Sequence, residues 1–463
     1  MADREYQLAV IGAGPGGYVA AIRARQLGLR VAVIERDRPG GVCLNMGCIP
    51  SKSLLHQAER YRGAARLEEL GLKVDRSGFD YELVHRKSRA AADTLLKGVE
   101  FLFRKNQVEL IKDEATLTDV HEVSLTGGGT ITADNIIIAT GSRPAGLPGL
   151  DTDERNVMTS NGALMMKDLP GKLVIVGAGP VGVEFAHIFH SFGVEVLLVE
   201  MLEHILPQAD QEVALFLARL LKKAGIRISA SSRAVSLQKT ENGLQVELED
   251  AGGNRALERC DRLLICAGRL PNTEGLGLEK LGIATRRGFI ETGDHYQTSV
   301  PGIYAVGDVV EGTPLLAHTA SRQGEMAVEH IAGLGGEARL DPMLVPHAVY
   351  CEPEVAGFGY TEKAAREEGL DFAKAVFPYR GAGKSVAAET GEGMVKVLHD
   401  RAGRILGAHI CGHAASELIH EILLARKHGL SPRQVAEVIH AHPTLSEAVM
   451  ESMRAAEGRA IHM

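Results

Sequence analysis

Apolar and polar positions along the chain fall into the same arrangement twice. Residues 7–35 (QLAVIGAGPGGYVAAIRARQLGLRVAVIE) read as an apolar strand, a glycine turn, an amphipathic helix and a second strand ending in Glu35. Residues 172–200 (KLVIVGAGPVGVEFAHIFHSFGVEVLLVE) repeat that order and end in Glu200. In both copies the acid lies 18 residues after the third glycine, Gly17 or Gly182. The copies stand 165 residues apart, which predicts two nucleotide-binding domains of α/β, Rossmann-like build. Each copy is followed by an apolar strand running into a small-small-Gly turn and an Arg: IIIATGSRP (136–144) and LLICAGRLPN (263–272). These strands are expected to close their domains near residues 145 and 270. TSVPGIYAVGDV (298–309) adds a strand with a Gly-Asp end. From about residue 343 strands (VKVLHD, ILGAHICG) alternate with helices (ASELIHEILLARKHG, SPRQVAEVIH, TLSEAVMESMRAAEG). That stretch predicts an α+β domain without a glycine fingerprint.

Composition narrows the class. A length of 463 residues suits about three domains. Hydrophobic residues at 45% and charged residues at 24% indicate globular structure rather than disorder. The 53 glycines follow no collagen period and form no linker run, so turns and close backbone approaches account for them. A net charge of −8 with no basic block excludes nucleic acid as a partner. No run of about 18 apolar residues exists, so no membrane span is expected. Residues 8–22 are apolar enough for a signal peptide, but Met1-Ala2-Asp3-Arg4-Glu5 carries two acids and one base, the wrong flank for export. A cytoplasmic protein is expected.

The fingerprint Gly12-x-Gly14-x-x-Gly17, with Pro15 inside it, follows a strand and opens a helix. Bare amides and the positive helix end then face a pyrophosphate, and Glu35 accepts ribose hydroxyls. Gly177, Gly179 and Gly182 with Glu200 repeat the set. An acid at Glu200 suits the free 2′-hydroxyl of NAD and repels the 2′-phosphate of NADP, and the following MLEHILPQAD contains no Arg. The competing reading of Glu200 is a solvated charge at a strand end.

Residues 40–53 read GGVCLNMGCIPSKS and precede an amphipathic helix expected over 53–66. Cys43 and Cys48, five positions apart near a helix start, can bridge within a distorted turn. Helix-start amides and Lys52 would favour thiolate and a redox-active pair. The alternatives are two buried thiols or a stapling disulfide, whereas zinc would need two further ligands that are not local. Cys260, Cys266, Cys351 and Cys411 are assigned to core packing. Among 18 histidines, His442 stands out through Ala441-His442-Pro443-Thr444-Leu445-Ser446-Glu447. Pro443 biases His442 toward extended backbone, and Thr444 with Glu447 forms a helix-capping box that gives Glu447 a purely structural role. His440 is expected to serve packing or to lie on the surface.

Together GGVCLNMGCIPSK (40–52), the two fingerprints, AVYCEPEVAGFGYTE (348–362), HAHPTLSEA (440–448) and the terminal GRAIH resemble the flavoprotein disulfide reductases, the class I pyridine nucleotide-disulphide oxidoreductases. The resemblance covers essentially the whole chain, and within the family the pattern is that of the dihydrolipoamide dehydrogenases. It implies FAD held by Gly12, Gly14, Pro15, Gly17, Glu35, Gly41, Lys52, Thr140, Gly141 and Asp308. It implies NAD held by Gly177, Gly179, Gly182, Glu184, Glu200 and Gly268. Cys48 would be the thiol against the flavin and Cys43 the interchange thiol that meets substrate. Lys52 and Glu184 would pair beside the flavin. The family uses a histidine at the position of His442 as acid/base and a glutamate at Glu447 to orient it, which reverses the capping reading. That histidine serves the cysteine pair of the other subunit, so a homodimer is implied.

By the same resemblance 1–145 and 271–342 are two segments of an FAD-binding domain, 146–270 an NAD-binding domain and 343–463 a dimerisation domain. The implied reaction oxidises protein-bound dihydrolipoamide and reduces NAD+. The implied partners are a lipoylated acyltransferase (E2) of a 2-oxo acid dehydrogenase complex or a glycine cleavage carrier protein. FPYRGAGKSVA (377–387) and Gly412-His413-Ala414-Ala415-Ser416 depart from the family pattern and are expected to lie apart from the redox relay. Glutathione and trypanothione reductases take NADP(H), which Glu200 opposes. Mercuric reductases end in a paired-cysteine tail, whereas this chain ends Ala460-Ile461-His462-Met463. Small thioredoxin reductases use a close Cys-x-x-Cys that is absent. A non-catalytic nucleotide-binding scaffold is the rival from another class, and the set Cys43, Cys48, Lys52, His442 and Glu447 stands against it.

Overall fold

The computed structural model describes residues 5–463, so the charged flank at residues 1–4 lies outside the described residues. The chain divides into two compact units. One takes the residues up to Leu54 with Asp80–Ala145 and Gly268–Leu340; the other takes Leu55–Phe79, Gly146–Ala267 and Asp341–Met463.

In the first unit a parallel sheet runs in the order Glu109–Ile111, Val31–Ile34, Tyr6–Ile11 and Thr130–Ile138, and Ile303–Ala305 also pairs with the last of these. Val10 lies between Val33 and Ile137, and Ile137 is opposite Tyr304. Alternate residues feed two cores. Ala9, Ile11, Ile34, Ile136 and Ile138 enter one; Leu8, Val10, Val33 and Ile137 enter the other with Ala20, Ala21 and Ala24 of the helix Pro15–Gln26. Burial on both faces is why these strands read as unbroken apolar runs. The helix Ala317–Ile331 packs on Pro15–Gln26 backbone to backbone, since a Cβ on Gly324 would fall 2.5 Å from the Gly16 carbonyl oxygen.

The second unit repeats the parallel plan in the order Arg227–Ser229, Glu195–Val199, Lys172–Val176, Arg262–Ile265 and Val157–Met158. It adds an antiparallel sheet of Ser232–Thr240, Gly243–Asp250 and Arg255–Cys260. Its C-terminal part is a five-stranded antiparallel sheet, ordered His347–Val349, Glu354–Gly359, Ile405–Gly412, Met394–Asp400 and Phe372–Pro378. Phe358, Phe377, Val395, Val397 and Ile410 pack there against Ile419, Ile422, Val449 and Met453 from the helices Ala415–Lys427 and Ser446–Ala456. The two-residue period of Met394–Asp400 turns Lys396 away from Val395 and Val397. Fully buried, its ammonium meets Asp210 at 2.8 Å, Glu362 at 2.8 Å and Glu212 at 2.9 Å. Asp210 also caps the helix Gln211–Ala224 and accepts the Glu362 amide at 3.0 Å.

Two expected helices change at their ends. The helix expected from residue 53 begins at Cys48 and runs to Arg66. Pro50 falls in its first turn, where an amide hydrogen has no partner to lose. The helix expected over SPRQVAEVIH is only Pro432–Ala436, so Val438 to His440 leave it. No described helix is long and apolar enough to cross a membrane.

Candidate functional site

The three glycines of each fingerprint do different things. Gly12 has φ +100°, and a Cβ there would lie 2.4 Å from the Ala139 carbonyl oxygen. A Cβ on Gly17 would lie 1.9 Å from the Gly12 oxygen. In the second copy Gly177 (φ +101°) would clash with the Cys266 oxygen at 2.3 Å, and Gly182 with the Gly177 oxygen at 1.9 Å. These four are required by the fold itself. The middle glycines are not: a Cβ on Gly14 meets only the Gly41 Cα at 3.9 Å, and one on Gly179 meets nothing within 4 Å. Space kept clear in front of a helix N-terminus, with no internal need for it, fits a pyrophosphate approaching bare amides.

The acids at the strand ends serve the same turns. Glu35 accepts the Ala13 amide at 2.8 Å and the Asp37 amide at 2.9 Å. Glu200 accepts the Ala178 amide at 2.7 Å and the Leu202 amide at 2.9 Å. At 7% exposure Glu200 is not a solvated strand-end charge. Each carboxylate ties the end of its strand to the glycine turn, and spare lone pairs remain for ribose hydroxyls.

The cysteine segment is not a distorted turn. It is two helical pieces, Gly41–Met46 and Cys48–Arg66, broken at Gly47. Gly40 and Gly41 both have positive φ. The Gly40 amide donates to the Ala13 carbonyl at 2.7 Å, and a Cβ on Gly41 would fall 2.7 Å from the Gly14 Cα. The first cysteine helix is thereby set directly on the first glycine turn. Asn45 Nδ2 donates to the Pro39 and Gly41 carbonyls at 3.0 Å, and Arg89 donates to the Asn45 carbonyl at 2.8 Å. Neither Asn45 nor Arg89 was a sequence candidate; the Asn in GGVCLN was the available signal.

Cys43 and Cys48 are half-buried thiols hydrogen-bonded to each other. That contact, then burial and the charge of Cys48, push the Cys43 thiol far above the ordinary range, and Lys52 opposes without reversing it. Cys43 therefore holds its proton tightly in the reduced pair, while the charge of Lys52 acts in the other direction, toward thiolate. Burial pushes Cys260 and Cys266 up to about 12 and also raises Cys351 and Cys411; Cys260, Cys351 and Cys411 are buried, in keeping with inert core thiols, whereas Cys266 is half-buried.

Three segments of the first unit meet at Asp308. The Ser142 hydroxyl donates to Asp308 at 2.5 Å. Arg269 Nε donates to the Ser142 hydroxyl at 2.6 Å, and another of its amino groups donates to the Ser142 carbonyl at 2.7 Å. The guanidinium lies within electrostatic reach of both Asp308 and Cys48. Thr140 and Gly141 belong to the same lacing: the Thr140 hydroxyl donates to the Asn272 carbonyl at 2.7 Å, and the Asn272 amide donates to the Gly141 carbonyl at 2.9 Å. Gly268 accepts the Ala145 amide at 2.9 Å. Ser142 and Arg269 were absent from the sequence candidates, although both stand inside the small-small-Gly-Arg motifs.

In the second unit Glu184 is buried on the helix Pro180–Ser191, and its carboxylate accepts the Tyr350 amide at 3.1 Å. His187, one turn on, is pushed down to about 3 by burial, with Arg62 adding to the effect, so it stays neutral. Lys52 lies in the first unit and Glu184 in the second.

His442 presents a 75% exposed imidazole whose Nδ1 lies 2.9 Å from Glu447 Oε1. A carboxylate there fixes the proton on Nδ1 and leaves Nε2 outward as a base. Glu447 Oε2 accepts the Thr444 amide at 2.8 Å. Burial pushes the Glu447 carboxyl up, but the Thr444 amide, the His442 ring and the charges of His442 and His440 hold it below its ordinary value. The capping box is half formed, because the Thr444 hydroxyl donates to the Ala441 carbonyl instead of accepting from the helix. His440 is not a surface residue: its side chain is 5% exposed. Gly383, inside the variable stretch 377–387, sits against His442, with a Cβ there 3.7 Å from the ring Cε1. The stretch thus runs beside the His442 ring.

Comparison with known proteins agrees with this geometry along the whole chain. Residues 6–324 match the family model described as pyridine nucleotide-disulphide oxidoreductase, and residues 345–453 match its dimerisation domain. The chain is 41% identical over 460 residues to a dihydrolipoyl dehydrogenase of Bacillus subtilis, covering 98% of this chain and 97% of that one. It is 42% identical over 467 residues to a dihydrolipoyl dehydrogenase of Zymomonas mobilis, covering 100% of both. Among solved structures, LpdA of Mycobacterium tuberculosis superposes with a TM-score of 0.88 at 27% identity, covering 97% of this chain and 99% of that one. The HOCl-induced flavoprotein disulfide reductase RclA of Escherichia coli gives 0.86 at 28% identity, covering 96% and 98%.

Proposed function

The chain belongs to the pyridine nucleotide-disulphide oxidoreductases, and from that premise we propose that it is a dihydrolipoyl dehydrogenase, oxidising protein-bound dihydrolipoamide and reducing NAD+ with FAD as resident cofactor. The observation that carries the reading is the thiol pair Cys43/Cys48 on two successive helical pieces, the first seated, through Gly41, on the glycine turn of the first fingerprint. The curated relatives matched over nearly the full chain carry the same activity in their names.

FAD would lie on Gly12, Gly14, Pro15 and Gly17, with Glu35 at its ribose and Gly41, Lys52, Thr140, Gly141 and Asp308 along its length. NAD would lie on Gly177, Gly179 and Gly182, with Glu200 at the adenosine ribose and Glu184 and Gly268 toward the nicotinamide. The amides of both turns and the acids that brace them fit such ligands. FAD, when bound, would supply the two-electron chemistry between the reduced cysteines and NAD+.

The protein's own part is thiol exchange and proton movement. A dihydrolipoyl thiol gives its proton to His442 Nε2, and the thiolate attacks Cys43 in the oxidised pair. A bond forms between substrate sulfur and Cys43, the Cys43–Cys48 bond breaks, and Cys48 leaves as thiolate. The second substrate thiol gives up its proton and attacks the first sulfur, closing lipoamide and releasing Cys43, which takes that proton. Two electrons have then passed to the cysteine pair. The high proton affinity of Cys43 supports this order, because the released Cys43 takes up a proton while Cys48 carries the charge. Glu447 holds the His442 ring and stabilises it when charged.

His442 serves the cysteines of a second copy, which makes the homodimer the active form. The dimerisation-domain match over residues 345–453 supports that assembly. The electron donor is a lipoyl group carried on an acyltransferase or on a glycine cleavage carrier protein, and the reaction runs in the cytoplasm.

Anaerobic titration of the holoenzyme with dihydrolipoamide, then NAD+, tests the reading. A long-wavelength thiolate-to-flavin band, followed by NADH formation and no NADPH from NADP+, is expected. The Cys43→Ser enzyme should retain FAD and lose turnover. Flavin reduction by NADH with no response to dihydrolipoamide would overturn the substrate assignment.

A further inference from the structure

His440 lies two residues before His442, on the segment that leaves the short helix Pro432–Ala436. Its ring is bonded at both nitrogens, and both partners are acceptors. Nδ1 lies 2.9 Å from the Val438 carbonyl oxygen, and Nε2 lies 2.7 Å from Glu421 Oε1 on the helix Ala415–Lys427. A neutral imidazole has one N–H and one lone pair, so it can satisfy only one such partner and would aim its lone pair at the other oxygen. With the ring 5% exposed, water has little room to relieve that conflict.

We infer that His440 is a standing imidazolium, held by Glu421 and the Val438 carbonyl, and that it acts as a positioning residue setting the charge around the His442–Glu447 pair. This inference rests on the dihydrolipoyl dehydrogenase reading of that pair.

The charges around the ring define what it can do. Glu421 neutralises it from one side. Its field reaches Glu447 on the helix Ser446–Ala456 and helps keep that carboxyl ionised. Glu437, Arg454 and Arg459 line the same hollow as His440, and Arg454 is itself paired with Glu451 at 2.7 Å. An ionised Glu447 keeps the proton of His442 on Nδ1. A cation two residues away opposes a second proton on the same ring. His440 therefore works against acid inactivation of the base.

Two substitutions separate charge from shape. In Glu421→Gln the carboxamide can donate to Nε2, so His440 reverts to the neutral Nδ1–H form with its packing retained. In His440→Asn the positive charge is lost while the Glu421 carboxylate remains. The acid limb of the kcat/KM profile for dihydrolipoamide oxidation should move to higher pH in both. The Asn variant should move it further, by about half a pH unit for one unit charge in partly solvated protein. Glu421→Asp, which keeps the charge, should restore the wild-type limb. Independently of activity, nitrogen-15 NMR of histidine-labelled holoenzyme at neutral pH should show His440 protonated at both nitrogens, and at one only in Glu421→Gln. Limbs that superimpose on the wild type, with only thermal stability altered, would reduce His440 to a structural residue. A singly protonated His440 in the wild type would overturn the inference outright. Loss of all response to dihydrolipoamide with a doubly protonated His440 would instead break the underlying functional reading.

Discussion

The middle glycine of the second fingerprint offers a direct test of what the turn is for. Gly179 sits at the N-cap of its helix with φ −70° and ψ −174°, a conformation open to any residue. A Cβ there meets nothing within 4 Å. Gly179→Ala should consequently fold normally. Reduced freedom of the unfolded chain favours Ala by about 0.4–1 kcal/mol, and the poorer N-cap offsets a few tenths or more, so stability should change by less than about 1 kcal/mol. The methyl group does, however, stand in front of the helix amides. If a pyrophosphate comes there, it is displaced from charge-assisted hydrogen bonds, each contributing about 1.5–3 kcal/mol. Losing one of them weakens NAD+ binding by roughly 10- to 150-fold. Because the chain contains no Trp, calorimetry or flavin fluorescence is the suitable readout. FAD content should be unchanged. Gly182→Ala is the contrasting variant, since its Cβ would lie 1.9 Å from the Gly177 carbonyl oxygen and the turn must open. It should unfold well below the wild-type temperature whether or not nucleotide is present. Wild-type NAD+ affinity in a stable Gly179→Ala protein would refute the assignment of this turn to the nucleotide. Wild-type stability in Gly182→Ala would refute the distinction between the two glycines.

Three further outcomes follow from other parts of the molecule. Lys396→Met should cost about 3–5 kcal/mol at neutral pH in urea unfolding, because Asp210, 1% exposed, is left as a buried charge without its cation. The pH dependence should also change sign: in the wild type the depressed Asp210, Glu212 and Glu362 carboxyls contribute stability above the ordinary carboxylate range that is lost as pH falls through their folded values, whereas the variant should lose least in acid, where a buried carboxyl is neutral. His442→Gln should lower kcat for dihydrolipoamide oxidation by about 10²–10⁴-fold, and the stability difference between Glu447→Gln and wild type, present at neutral pH, should close as acid protonates the depressed Glu447 carboxyl. In the reduced enzyme iodoacetamide at neutral pH should leave Cys260 unmodified by peptide mass mapping, since burial holds that thiol at about 12; its carbamidomethylation would contradict that burial.

Period and spacing made much of this architecture legible. Unbroken apolar runs announced strands buried on both faces, and Leu8 to Ile11 do feed two cores alternately. Glycine spacing with a terminal acid announced the two nucleotide turns, because backbone clearance and bracing amides are local requirements written into neighbouring positions. What stayed hidden depends on residues far apart in the chain. Arg269 reaches Ser142 across 127 positions and Lys396 reaches Asp210 across 186, and no local pattern says that either pair meets. The helix expected from residue 53 starts already at Cys48, because Pro50 within a first turn removes only an amide that has no acceptor.

Glu447 shows why a local motif can carry two readings that look exclusive. As the third residue after Thr444 it belongs to a capping box, and as the neighbour of His442 it belongs to a catalytic pair. A carboxylate has two oxygens, and here they are divided: Oε2 accepts the Thr444 amide while Oε1 faces His442 Nδ1. The amide contact at 2.8 Å fixes the carboxylate plane, and that plane aims the second oxygen at the ring. Capping is therefore the means by which the imidazole is oriented. The Thr444 hydroxyl, freed from the reciprocal cap, bonds the Ala441 carbonyl and braces the residue just before His442. Replacing Glu447 by Gln keeps the Thr444 contact on the amide oxygen but removes the charge and turns a donor toward His442 Nδ1, so it should leave the turn folded while weakening the base, whereas Glu447→Ala should loosen turn and ring together. Near-wild-type activity in Glu447→Gln with loss only in Glu447→Ala would mean that orientation alone, and not the carboxylate's charge, is what His442 requires.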